Sequence, residues 1–458
     1  MSQPTRDLTR GAVWRAIAAV SAPMTIGIFA VLSVGLADAF FLGRLGRDPL
    51  AAVGYIFPVI TAITSLSIGL SAGTNAAVSQ AIGRKESEDA EHRLALHAVG
   101  LGTTLSILVA LAVWWSFPAL FRLLGASEAV AVEIAEYMPW WALSFPLLVT
   151  LMQIQAVFRA HGKGGWAAGI MTVSALMNVG MDPILIFGLG PIPALGTEGA
   201  GLATFLARVA AVCGAVALAV WSGLLRVRSR PFLELWFSIK TIAHVGAPAA
   251  VSNAINPAGM AAVTAAVSVV GETAVAGFGA ATRVQSMALV PLMALSAGIG
   301  PVVGQNWGAE RQDRAARGLW LCFSWCALYG LGVGALLFLF ATPIAAAIAN
   351  GSDAAEFGAQ YLRWVGWSLF GYGMVVTGNA AMNARDKAVW SLGLSLSRIA
   401  VIYLPLAWAG VTLFGYPGIV GAAVAANVLG GAGAAFATWK TGLLRLPSRA
   451  RSTAAQAA

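Results

Sequence analysis

Two carboxylates stand where carboxylates are expensive. Asp38 lies in Gly35-Leu36-Ala37-Asp38-Ala39-Phe40 and Asp182 in Met177-Asn178-Val179-Gly180-Met181-Asp182-Pro183, each inside a stretch apolar enough to cross a bilayer. No other acid of the 19 falls well inside such a stretch. A charge at the bilayer centre costs about 2.5–3.5 kcal/mol on insertion scales, so each acid should face a protein interior or a water-filled cavity. Asn178 and Asp182 are four residues apart and share one helix face. Pro183 removes a backbone donor and frees a carbonyl one turn back, which opens a polar spot in that helix. Two carboxylates close together at low dielectric cannot both stay charged without a cation or a shared proton. Hard cations take carboxylate, amide and hydroxyl oxygens. Asp38, Asn178, Asp182 and Thr204 are therefore the candidate site for a proton or Na+. The plainer alternative makes the two acids core hydrogen-bonders and gives the Thr204 hydroxyl to its own helix backbone.

Arg283, Gln285, Asn253 and Asn256 are candidates for lining a substrate cavity. Arg283, in Ala280-Ala281-Thr282-Arg283-Val284-Gln285, could meet an anionic group or an acid, or snorkel to the interface. Arg208 and Arg398 also fall in apolar stretches, but three arginines make a thin case for a cationic cavity. Cys322 and Cys326 have helical spacing with no His or acid beside them, so they read as core or lipid-facing thiols. Trp114-Trp115 and Trp140-Trp141 read as parts of interfacial belts. No G-x-x-x-x-G-K-[ST] run is present, which argues against ATP as the energy source. No Ser/His/Asp arrangement or zinc spacing suggests hydrolysis, so no catalytic residue and no cofactor beyond a coupling ion is expected. Energy then comes from an ion gradient, or the passage is passive.

The elements that must position these residues are membrane helices. Hydrophobic residues make up 59% of the 458 and charged ones 10%, with mean hydropathy +0.79. A soluble domain carries about 25% charged residues, so soluble enzymes and nucleic-acid-binding domains are poor readings. Taking about 20 apolar residues per span, the chain divides into twelve helices near 15–42, 50–80, 95–118, 135–158, 166–189, 198–224, 242–268, 275–303, 316–340, 361–382, 390–413 and 418–438. Breaks are expected at Gly188-Leu189-Gly190-Pro191-Ile192-Pro193 and at Phe414-Gly415-Tyr416-Pro417-Gly418. The first apolar run is too long for a cleavable leader and reads as the first span. With both termini inside, the inner segments hold 21 Lys and Arg and the outer segments four. That asymmetry predicts cytoplasmic termini and explains the net charge of +9 without a nucleic-acid partner.

The halves repeat. Ala22-Pro23, Ala51, Gly54, Ala72-Gly73 and Gln80 recur at an offset of 225 as Ala247-Pro248, Ala276, Gly279, Ala297-Gly298 and Gln305. Lys163 and Trp166 recur as Lys387 and Trp390, and Gly199-Ala200 as Gly421-Ala422. Six spans per half make a parallel repeat, typical of transporters that rock one lobe against the other. The expected domains are an N-lobe (1–225), a cytoplasmic linker (226–241) carrying an interfacial amphipathic helix, a C-lobe (242–440) and a cytoplasmic tail (441–458). Both acids belong to the first half. Val263 stands where the repeat would put Asp38, and Ala426 stands at Thr204's equivalent.

Several motifs now fall into one order. They are Ala22-Pro23, Gly35-Leu36-Ala37-Asp38 with Gly43-Arg44-Leu45-Gly46, Leu50-Ala51-Ala52-Val53-Gly54, Arg159-Ala160-His161-Gly162-Lys163, Asn178 to Phe187, and Gly304-Gln305-Asn306-Trp307-Gly308-Ala309. In this order and spacing the chain resembles the multidrug and toxic compound extrusion (MATE) family, over nearly all of its length. The resemblance implies an all-α integral membrane protein of twelve helices in two six-helix lobes forming a V. It implies alternating access and export coupled to H+ or Na+ entry. The acids resemble those of the DinF-like branch, whose N-lobe cation site Asp38, Asn178, Asp182 and Thr204 match. Another branch uses acids in the seventh and tenth spans, where this chain has none. The expected protein is a monomeric multi-pass exporter in the plasma membrane. Its expected substrates are amphipathic, mainly cationic small molecules. A flippase for a lipid-linked precursor is the alternative, and a passive channel the third.

Overall fold

The computed structural model describes residues 7–226, 231–349 and 353–444. Arg6, Arg228 and Arg230, and Arg445, Arg449 and Arg451 of the tail, lie outside them. Twelve helical segments follow in order: α1 (Val13–Leu45), α2 (Arg47–Arg84), α3 (Glu88–Leu123), α4 (Glu128–Ala160), α5 (Gly164–Phe187), α6 (Gly196–Trp221), α7 (Leu235–Ser268), α8 (Glu272–Gly308), α9 (Gln312–Ile348), α10 (354–383), α11 (Ala388–Phe414) and α12 (Tyr416–Lys440). The two expected breaks fall where the glycines and prolines put them. Leu189 and Ile192 bond across the turn after α5, and Gly415, at φ 65°, separates α11 from α12.

Some helices are longer than their apolar runs, and α3 shows why: its start is capped by polar and charged side chains. α3 begins at Glu88, seven residues before the expected 95. Ser87 Oγ accepts from the Ala90 amide at 3.3 Å, and Glu88, Asp89 and Glu91 fill the first turn, facing the positive end of the helix dipole. α7 likewise starts before the expected 242, at Leu235, and absorbs the second part of the stretch expected as a separate interfacial helix. Trp236 and Phe237 are exposed on its first turn. Ten of the twelve segments are long and apolar enough to span a membrane. The two that fall short are α7, diluted by Ala, Ser, Asn and Pro, and α10, which a 3-10 turn at Gly366–Ser368 divides into short pieces. One tryptophan expectation is overturned. Trp115 is exposed as a belt residue should be, but Trp141 is buried and stacks on Phe145, while Trp140 donates to Glu198 Oε1 at 3.1 Å.

α1–α6 pack as one lobe and α7–α12 as the other, with α2 against α7 and α1 against α8 between them. Small residues let these helices approach closely, as membrane helices require. A Cβ at Gly69 would overlap the backbone of Ala250. The repeat is also visible in hydrogen bonds. Gln80 Nε2 donates to Ala384 O at 2.9 Å, and its equivalent Gln305 donates from Nε2 to Ala160 O at 2.7 Å. Ala160 and Ala384 are themselves equivalent, so one bond is made twice across the lobe boundary. The N-terminal segment joins this contact, Leu8 N donating to Gln305 Oε1 at 2.9 Å. Arg385 of the α10–α11 loop bonds to Thr441 O, after α12. Both ends of the described chain thus lie with the basic loops, at what is called here the basic end. Among the described residues, hydrogen bonds between the lobes lie toward this end, and the lobes form a V that opens at the other.

Candidate functional site

α1, α3, α4, α5 and α6 of the first lobe each pass through two apolar layers. One contains Met24, Phe158, Ala168 and Ala211; the other contains Leu42, Trp141, Ile186 and Ala200. Asp38 of α1, Asn178 and Asp182 of α5 and Thr204 of α6 fall in the gap between the layers on their respective helices. Small residues along α5 and α6 bring these helices together there, so the polar groups meet inside the lobe rather than in lipid.

All four expected site residues are brought together. The carboxyl groups of Asp38 and Asp182 lie within hydrogen-bonding reach of each other, and the Asn178 amide donates to Thr204 Oγ1 at 3.2 Å. Asp182 has no exposed surface, and Asn178 and Thr204 are buried; Asp38 is partly exposed, with Oδ1 buried. Asp38 Oδ1, both Asp182 oxygens and Asn178 Oδ1 have no protein donor. Four buried acceptor oxygens without a donor are costly unless a proton or cation satisfies them.

Two residues of the site had not been singled out. Tyr137 of α4 is buried with its hydroxyl against Thr204, and Arg208 of α6 lies near enough to act on Asp38 and Tyr137. Arg208 donates to Ser144 Oγ. It follows Thr204 by four residues on the same helix face, a spacing that was readable. Nothing in the sequence around Tyr137 marked it.

The expected substrate-cavity residues divide. Arg283 is exposed on α8, and Asn253 bonds back to Ala249 O of its own helix at 2.8 Å. Asn256 and Gln285 instead join a polar cluster in the second lobe: Asn256 Oδ1 accepts from Arg398, and Gln285 Oε1 accepts from the Tyr361 hydroxyl at 2.8 Å. Cys322 and Cys326 are both buried in the same lobe, Cys326 Sγ lying 3.9 Å from Thr377 Oγ1.

Comparison with known proteins places the chain in a family. The MatE family model matches residues 23–184 and again 248–409, once in each lobe. A FAD transporter of Shewanella oneidensis is 34% identical over 92% of this chain and 93% of its own length. The probable multidrug resistance protein YoeA of Bacillus subtilis is 26% identical over 88% of each chain. Among solved structures, the Vibrio cholerae MATE transporter VcmN in its bent form superposes with a TM-score of 0.88 at 27% identity, covering 94% of this chain and 97% of that one.

Proposed function

The chain belongs to the MatE family of transporters, and on that footing we propose that it is a secondary exporter driven by H+ or Na+ through the acid pair of its first lobe. The observation that carries the reading is the set of four donor-free buried oxygens on Asp38, Asp182 and Asn178. Two carboxylates beside one guanidinium, Arg208, leave one negative charge to neutralise. One proton or one Na+ per cycle meets that need. Taking up the ion removes the repulsion between the acids and changes which helix packing is preferred, which shifts the lobes between two states. The basic loops support an orientation in a plasma membrane with the closed end of the V toward the cytoplasm. The V then opens outward, as release of an exported substrate requires.

The substrates proposed are amphipathic organic compounds. A second reading, that flavin nucleotides are among them, is favoured by the FAD transporter being more similar to this chain than the multidrug resistance protein. Purified protein in liposomes, loaded with ethidium and exposed to a proton or a sodium gradient separately, tests the proposal. Saturable efflux that follows one gradient supports it. Efflux unaffected by collapsing both gradients makes the protein a passive channel instead.

A further inference from the structure

The second lobe buries an arginine where the first buries its acids. Arg398 of α11 is 6% exposed. It sits in a π-helical stretch, Ser397–Tyr403, a local widening that is often found at functional sites. Its neighbours come from α7, α10 and α12. Asn256 and Asn427 turn their carbonyl oxygens to its two terminal nitrogens, the second at 3.4 Å. Asn427 is held in that orientation by donating from Nδ2 to Ser368 Oγ at 2.9 Å. The Arg398 stem runs against Gly430, where a Cβ would stand 2.7 Å from Cδ; only glycine leaves it room. The guanidinium carbon lies 5.2 Å from the Tyr372 ring centroid.

What is missing is an anion. Among the described residues no carboxylate forms an ion pair with Arg398, and the charged or titratable groups that act on it are tyrosines: Tyr372, Tyr403 and Tyr361. Its Nε is buried without a partner. A buried cation is normally paired, because amide oxygens recover only part of what it loses on leaving water. Here two amide oxygens hold the charge in place, one on each terminal nitrogen, and Nε has no acceptor. Asn256 and Tyr372 keep part of their surface exposed, so the cluster is reachable. α7, α11 and α12 are the repeat equivalents of α1, α5 and α6, which carry Asp38, Asp182 and Thr204. The same three helices of the duplicated fold thus carry the acid pair in one lobe and a buried arginine in the other, at residues that are not equivalent to one another.

We propose that the Arg398 cluster is a substrate subsite for an anionic oxygen group, phosphate or carboxylate, carried on an aromatic compound. The guanidinium fork matches such a group with two parallel hydrogen bonds, and the tyrosine faces accept a planar ring beside it. Separation from the first-lobe acids keeps the anion away from like charge and lets ion and substrate bind on different lobes. The inference deepens the exporter reading and rests on it.

The test uses a matched pair, flavin mononucleotide and riboflavin, which share a ring and differ by one phosphate. Binding to purified full-length protein is followed by quenching of flavin fluorescence, and gradient-driven ethidium efflux is measured on the same preparations. The wild type should bind the phosphorylated flavin more tightly than riboflavin. Arg398→Met should weaken it by about 10- to 100-fold, the worth of charge-assisted hydrogen bonds, with a much smaller change in riboflavin binding. Asn427→Asp supplies an internal counter-ion without removing the arginine. It should abolish the preference for phosphate while raising thermal stability, which keeps the test decisive if Arg398→Met does not fold. Equal binding of both flavins to the wild type, or equal losses in the variants, overturns the subsite. Loss of gradient dependence for ethidium in the wild type would instead overturn the exporter reading.

Discussion

Gln80 and Gln305 occupy equivalent positions in the two repeats, and each donates to a backbone carbonyl beyond the lobe boundary, Ala384 O and Ala160 O, at 2.9 and 2.7 Å. A symmetric pair of this kind favours the state in which the basic end is closed. Each glutamine makes a second bond at this boundary, Gln80 Nε2 donating to Asp386 Oδ2 and Gln305 Oε1 accepting from Leu8 N, both at 2.9 Å. One neutral hydrogen bond contributes about 1 kcal/mol net, so Gln80→Ala and Gln305→Ala should each shift the closed-to-open ratio by at least about fivefold, and the double variant by more. Spin labels placed on either side of the basic end report the ratio; unchanged distance distributions in the double variant would count against the lock.

Thr204 gives Asn178 Nδ2 its acceptor at 3.2 Å and so leaves Asn178 Oδ1 facing the acids. Thr204→Val removes the acceptor and frees the amide to turn. Apparent affinity for the coupling ion should fall by about fivefold, the worth of one neutral hydrogen bond, while maximal efflux at saturating ion is kept. Ion-dependence curves in liposomes give both numbers, and a lowered maximum with unchanged affinity would contradict the role.

The basic loops assign an orientation. Cysteines introduced at Gly190 and Gly415 should react with an impermeant thiol reagent added outside intact cells, and cysteines at Glu88 and Asp313 only after permeabilisation. Reaction of the Gly190 site from the cytoplasmic face alone would reverse the assignment.

His161, in the loop between α4 and α5, has a pH consequence. Burial pushes its imidazole down to about 4, and the Lys163 and His92 charges act in the same direction against the bond to Val157 O. Glu91 Oε2, 4.0 Å from Nε2, is too far to share a proton. The folded state thus holds His161 neutral, and the resulting stability is complete above about pH 6.5, the ordinary value. Stability falls as pH drops from there toward 4, by up to about 1.4 kcal/mol per pH unit from this group. His161→Gln should flatten that part of the profile in thermal unfolding of the detergent-solubilised protein. A profile identical to wild type between pH 6.5 and 4.5 would remove His161 from the account.

Much of this was legible before any coordinates. The twelve helices followed from apolar length and the duplication from spacing. Asp38 and Asp182 stood out because few carboxylates survive in such surroundings. Helix ends were less legible: the start of α3 at Glu88 is decided by capping and dipole terms, which extend a helix beyond its membrane-crossing part. Trp141 was misread because its type favours both interface and core, and only packing on Phe145 decides between them. Tyr137 was invisible because α4 meets α6 through tertiary contact alone. Arg398 was counted but undervalued, since its burial and lack of a carboxylate partner depend on α7 and α12 arriving from distant parts of the chain.

The central claim is that Asp38 and Asp182 act as one ion site. Asp38→Asn should abolish gradient-driven efflux while leaving expression intact, because it removes a costly buried charge without changing shape. The most direct measurement is infrared difference titration of the carboxyl bands in wild type, Asp38→Asn and Asp182→Asn. The account predicts that each substitution moves the titration of the remaining acid, and that if Na+ is the coupling ion, added sodium moves the wild-type titration as well. If each acid titrates unchanged when the other is replaced, the two do not form one site and the coupling mechanism fails.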